Sequence, residues 1–118
     1  MATGLNSTAE SNSDTDSSGV KISGDELHQQ LEMVKALSAE TRLRTLHVIA
    51  GSDDEVCVCE IEPRLEVSQG AVSHALARLT EAGLLERRKD GRWRYYTCTR
   101  DGEKLLTAVE SITGDHNG

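Results

Sequence analysis

One dipeptide limits this chain more than any other feature: Asp90-Gly91 stands between two strand-like runs, residues 84–89 and 92–98. Such a pair is a strong hairpin signal, because a two-residue turn needs left-handed backbone that glycine adopts without penalty. A turn of that length also fixes register. It sets Lys89 opposite Arg92 and Arg87 opposite Arg94, placing like charges face to face, which destabilises a free hairpin. A polyanion bound on that face removes the conflict. Trp93 and Tyr95 fall on the opposite face, where they are expected to pack the ribbon onto its neighbours.

Upstream of the hairpin the apolar period is helical. Leu27, Leu31, Val34 and Leu37 share one stripe. Ser38 suits an N-cap with Glu40 in the following first turn, and Leu43, Leu46 and Ile49 then face inward until Gly51. Ser52-Asp53-Asp54 reads as a turn. Residues 56–65 form a short apolar-periodic segment in which Pro63 is admissible near a helix start or in a loop. Val67-Ser68-Gln69-Gly70 reads as a tight turn with Ser68 as N-cap. Val72, Leu76 and Leu79 make the buried stripe of the next helix, which Gly83 ends. Two short helices across a tight turn are a helix-turn-helix. Leu105, Leu106, Val109 and Ile112 give a last amphipathic helix. The expected fold is therefore mainly α with a two-stranded β wing, a winged helix-turn-helix spanning residues 25–113.

Residues 1–24 are Ser-, Thr-, Asn-, Asp- and Gly-rich and bury too little apolar surface to offset ordering, so they are expected to be a disordered tail; residues 114–118 are expected to be flexible. The start has no signal-peptide pattern, and no apolar run reaches the ~20 residues of a membrane span. The expectation is a soluble, cytoplasmic protein with no membrane partner.

Net charge is −7, which taken whole argues against a nucleic-acid partner. Its distribution argues for one. Residues 87–94 hold Arg87, Arg88, Lys89, Arg92 and Arg94 against the single acid Asp90, and local potential, not the total, attracts phosphate. On the second helix of the helix-turn-helix, Ser68, Gln69, Ser73 and His74 lie away from the apolar stripe, with Arg78 a turn further on. Gln suits adenine, Ser several base edges, and Arg a phosphate or guanine. With Arg87, Lys89, Arg92 and Arg94 they form the candidate DNA surface.

The 3 cysteines do not form a disulfide framework, and Cys57 and Cys59 are too close in sequence to be bridged readily. Thiolates are soft ligands, so metal or metalloid binding is the functional interpretation, against the plainer one of an inert core pair. On a regular helix positions i and i+2 diverge, so one ion bridges both sulfurs only where the helix start is distorted. That distortion would displace the recognition helix and oppose DNA binding by linkage.

Three stretches together resemble the ArsR–SmtB family of metal-sensing winged-helix repressors: residues 37–46 (its second-helix signature), residues 55–61 (the cysteine box of its arsenic and cadmium sensors) and residues 67–76 (its recognition helix). The resemblance implies a homodimer joined through first and last helices, with Leu27, Leu31, Val34, Leu105, Leu106, Val109 and Ile112 at the interface. It also implies an imperfectly palindromic operator. Arsenic sensors of this type often carry a third cysteine where this chain has Glu62, which leaves Cys98 as the available third thiol. Two thiolates with a weaker third ligand fit pyramidal arsenite or antimonite ahead of cadmium, lead or zinc. The expected function is a repressor that leaves its operator when such an ion binds Cys57 and Cys59, with no obligatory cofactor. The alternatives are a thiol-redox regulator of the same fold and a protein-interaction module that does not bind DNA. No nucleophilic triad or phosphate-cradling glycine loop marks an enzyme.

Overall fold

Local caps and turns set most of the architecture. In the computed structural model, which describes residues 21–113, the order is α1 (Gly24–Leu37), α2 (Glu40–Ala50), β1 (Val56–Cys57), α3 (Val58–Leu65), α4 (Gln69–Glu81), β2 (Leu85–Asp90), β3 (Trp93–Cys98) and α5 (Arg100–Thr113). Of the expected tails, residues 1–20 and 114–118 lie outside the described residues.

The chain divides into two units, Met1–Glu32 and Met33–Gly118. In the first, the Ser23 hydroxyl accepts from the Glu26 N–H at 3.1 Å. Asp25 and Glu26 occupy the opening turn of α1, where the helix dipole favours anions. Leu27 and Leu31 are exposed there.

In the second unit α1 ends on buried Ala36 and Leu37. Arg42 donates through Nε to the Ala36 carbonyl at 2.6 Å and through Nη2 to that of Lys35 at 3.3 Å, serving acceptors that a helix end leaves orphaned. Ser38 does not cap α2 as expected. Its hydroxyl donates backward to the Lys35 carbonyl at 2.9 Å, and extended Ala39 precedes α2 without a side-chain cap. Leu46 and Ile49 of α2, Ile61 and Leu65 of α3, Val72, Leu76 and Leu79 of α4, and Leu84, Leu85, Tyr96 and Leu106 build one core. Each large aliphatic side chain there contributes about 1.5–3 kcal/mol.

The helix-turn-helix is tighter than the sequence suggested. Glu66 ends α3 in the left-handed region (φ 56°), and Ser68 caps α4 by accepting from the Ala71 N–H at 3.1 Å. Gln69 and Gly70, expected in the turn, are the first residues of α4. Pro63, expected at a helix start or in a loop, lies inside α3.

The wing differs in register. Asp90 pairs with Trp93, Lys89 with Arg94, Arg88 with Tyr95 and Arg87 with Tyr96. The turn residues are therefore Gly91 and Arg92. Only Gly91 has positive φ (63°), the pattern of a turn with glycine in first place rather than one left-handed at both positions. Arg87 thus does not oppose Arg94, and Lys89 does not oppose Arg92. One like-charge pair, Lys89 with Arg94, remains. β1 pairs with β3 (Val56 with Tyr96, Cys57 with Tyr95), giving the sheet order β1-β3-β2. Two residues are too few to announce a strand by alternation. Behind the wing, the Thr99 hydroxyl accepts from the Gly102 N–H at 3.0 Å and donates to the Gly83 carbonyl at 2.7 Å. A Cβ on Gly102 would fall 2.8 Å from Cys98 Sγ and collide with the Leu84 carbonyl. Glycine is required for α5 to approach the sheet this closely.

Candidate nucleic-acid interface and adjoining thiol pair

Strand alternation decides what the wing presents. Leu85, Arg87 and Lys89 share one face with Arg94, Tyr96 and Cys98, and buried Leu85 and Tyr96 anchor its base to the core. Glu86, Arg88 and Asp90 share the other with Trp93, Tyr95 and Thr97. Trp93 and Tyr95 therefore do not pack the hairpin onto the helices, as expected above. Trp93 is 48% exposed, and the two rings carry cations: the Arg88 guanidinium lies 4.8 Å from the Tyr95 centroid, and that of Arg92 5.4 Å from Trp93. Tyr96 packs the hairpin instead.

Among the wing cations Arg88 is committed. It donates from Nε and Nη2 to the two Glu55 carboxylate oxygens at 2.7 and 2.8 Å, which holds the Glu55 carboxyl below its usual value. Arg87, Lys89 and Arg94 are exposed and make no ion pair among the described residues. Ser68 at the cap of α4 and Gln69, Ser73 and His74 along it are exposed, and Arg78 is half-buried. The Ser68 oxygen is engaged as the helix cap, leaving its hydroxyl proton for an outside acceptor.

The two surfaces meet in one open cavity of about 730 Å³, lined by Gln69 and Ser73 of α4 and by Arg87, Arg92 and Arg94 of the wing. Cys57, Cys59 and Glu62 line the same cavity. Ser68, His74, Arg78 and Lys89 lie outside its wall.

The thiols converge for a local reason. Cys57 is not in the helix; it is the extended N-cap of α3 (φ −76°, ψ 144°), while Cys59 is the second helical residue. Their sulfurs are 2.9 Å apart, the Cys59 S–H donating to Cys57 Sγ. Bridging them needs no distortion of a helix that holds both, which corrects the geometric premise drawn from spacing. Glu60, not singled out in the sequence, completes a capping box: its backbone N–H donates to Cys57 Sγ, and its carboxylate accepts from the Cys57 N–H at 3.1 Å. A Cys-x-x-Glu run reads as that motif once sulfur is allowed in place of a hydroxyl. The hydrogen bond to Cys57 is the first cause raising the Cys59 pKa, followed by burial and the negative charges of Cys57 and Glu60.

Cys98 does not join the pair. It lies three residues along β3 from Tyr95, the partner of Cys57, about 10 Å at strand rise. It lines a different cavity with Asp53, Asp54 and Glu103. Burial first, and then the charge of Glu103, pushes its thiol up to about 11. Among the described residues no three His, Cys, Asp or Glu groups are placed to hold one ion.

The apolar residues assigned to an interface divide. Leu27, Leu31, Val34 and Ile112 are 48%, 47%, 55% and 78% exposed, whereas Leu106 is only 5% exposed. Leu106 belongs to the chain's own core, and Leu105 and Val109 pack against it. No helix among the described residues is long and apolar enough to cross a membrane.

Residues 39–87 match the family described as "Bacterial regulatory protein, arsR family". The chain is 44% identical over 95 residues to a Halobacterium salinarum protein named for repression of an arsenical resistance operon, ArsR2, a match covering 80% of each chain. It is 47% identical over 83 residues to the arsenic resistance transcriptional regulator ArsR1 of Pseudomonas putida, covering 70% of this chain and 64% of that one. Among solved structures, the homodimeric winged helix-turn-helix DNA-binding domain of a Mycobacterium bovis protein superposes with a TM-score of 0.69. Identity there is 26%, over 89% of this chain and 90% of that one.

Proposed function

The chain belongs to the arsR family, whose members are transcriptional regulators and not enzymes, and from that premise we propose a homodimeric repressor that releases an imperfectly palindromic operator when arsenite or antimonite binds Cys57 and Cys59. One observation carries this: the thiol pair opens into the same cavity as Gln69, Ser73, Arg87 and Arg94, the side chains best suited to bases and phosphates. The residues fit a thiophilic ion, because two sulfurs already converge at the edge of open space. Gln69, Ser73 and His74 would read the major groove, and Arg87, Lys89, Arg92 and Arg94 would hold phosphates. Leu27, Leu31, Val34 and Ile112 supply apolar surface for a partner protomer. A cytoplasmic location follows from work on operator DNA.

Coupling runs through α3. Cys57 Sγ accepts the Glu60 N–H, so taking up an ion redirects a sulfur that now caps the helix. Pro63 has no N–H for the carbonyl of Cys59, four residues back, so the first turn is already short of one bond. α3 and α4 share the core through Ile61, Leu65, Val72 and Leu76, and a shift in one is felt by the other. By linkage, the factor by which the ion weakens DNA binding equals the factor by which DNA weakens ion binding.

The test is fluorescence anisotropy of a labelled operator titrated with arsenite. We expect a 5- to 150-fold loss of affinity, the usual range of such coupling, in wild type, and none in Cys59→Ser. The 2.9 Å sulfur contact also favours a second reading, oxidation of the pair. Release by peroxide without response to arsenite would establish that one instead.

A further inference from the structure

We infer that the pair takes its inducer as a ternary adduct, the third sulfur coming from a small anionic monothiol that lies in the basic cavity. This rests on the pair being the inducer site. Trivalent arsenic forms three bonds, and the chain offers two converging thiols. Cys98 lines another cavity, and no third protein ligand is placed beside the pair among the described residues. What adjoins the sulfurs is open space of about 730 Å³, the size of an ordinary small-molecule site. Its charged lining is Arg87, Arg92 and Arg94 against Glu62 and Glu81, and neither Arg87 nor Arg94 has an internal ion partner among the described residues. A carboxylate on the third ligand would find a guanidinium to pair with; an ammonium there would be repelled.

The chemistry balances without a redox step. From arsenous acid, three As–O bonds break and three As–S bonds form, with Cys57, Cys59 and the external thiol. Each thiol proton leaves with a hydroxyl as water, and arsenic stays trivalent. The ligand would then occupy guanidinium groups that otherwise meet phosphate, making DNA release partly a direct competition.

Three thiols of similar size and different charge test this on the purified full-length protein without DNA: 3-mercaptopropionate, 2-mercaptoethanol and cysteamine. Native mass spectrometry should show one arsenic and one mercaptopropionate per protomer. Calorimetry, referred to each thiol's own affinity for arsenite, should give binding roughly fivefold tighter with the anionic thiol than the neutral one, the worth of one charge pair in water. Cysteamine should be weakest, and Arg87→Gln with Arg94→Gln should level the three. Arsenic bound without external thiol, or equally with all three, overturns the ternary site and leaves the pair as inducer site. No arsenic bound, or as much in Cys59→Ser, overturns both.

Discussion

The two thiols show how far a single residue's backbone state decides chemistry. Their spacing was plain in the sequence, but the meeting of their sulfurs was not. A periodicity argument puts both residues in the helix, whereas Cys57 stays extended as its N-cap and Glu60 fixes it there. Cys98 is the contrasting case, the same side chain set apart from the pair in a different cavity. Burial pushes its thiol up to about 11, so roughly a thousandth is thiolate at pH 8. Iodoacetamide at that pH should label Cys57 and Cys59 in the native protein and spare Cys98, with all three labelled in urea; peptide mass mapping reads the result. The sign for stability follows. A thiol raised in the folded state favours folding below the ordinary value of 9.0, and that contribution is lost as pH climbs from there towards 11. The thermal midpoint should fall across this window, and fall less in Cys98→Ala. Comparable labelling of Cys98 in native and unfolded protein would contradict the burial argument.

At the scale of elements, the helices were legible because each carries its own apolar period and most carry a cap, as with Ser68 and the stripe of Val72, Leu76 and Leu79. What escaped is set by distant partners. β1 exists only by pairing with β3. The wing register turns on whether Gly91 is the first or the second residue of its turn, which an Asp-Gly pair leaves open. Pro63 escaped too, since its neighbours in the core hold α3 together despite a lost hydrogen bond. That makes α3 a weak helix at the cysteines, with a measurable consequence. Pro63→Ala should stabilise the protein by about 1–3 kcal/mol in urea unfolding, and should blunt arsenite release because the first turn resists rearrangement. Gain in stability with an unchanged response would separate the proline from the switch. Glu66 sits at φ 56° with a side chain. Glu66→Gly should relieve this and raise stability by about 0.5–1 kcal/mol; a loss would mean the carboxylate has a role beyond the turn.

Across the whole molecule, an overall charge of −7 and a DNA partner are reconciled by placement. The basic stretch is plain in the sequence, but a committed cation cannot be told there from an available one, because Glu55 lies 33 residues from Arg88 and meets it only through the sheet. The distinction predicts how operator binding answers salt. Each phosphate neutralised contributes about 0.9 to the slope of log affinity against log salt. The proposed dimer would present Arg87 and Arg94 twice and so make up to four such contacts. Replacing both with Gln should therefore flatten the slope by about 3–4 and weaken binding to operator and unrelated DNA alike, since phosphate contacts carry no base information. Arg88→Gln should leave the slope nearly unchanged, its charge being already met by Glu55. Anisotropy titrations over 50–300 mM salt compare the three proteins. A wild-type slope that survives loss of Arg87 and Arg94 would remove the wing from the DNA interface and favour a surface that binds protein.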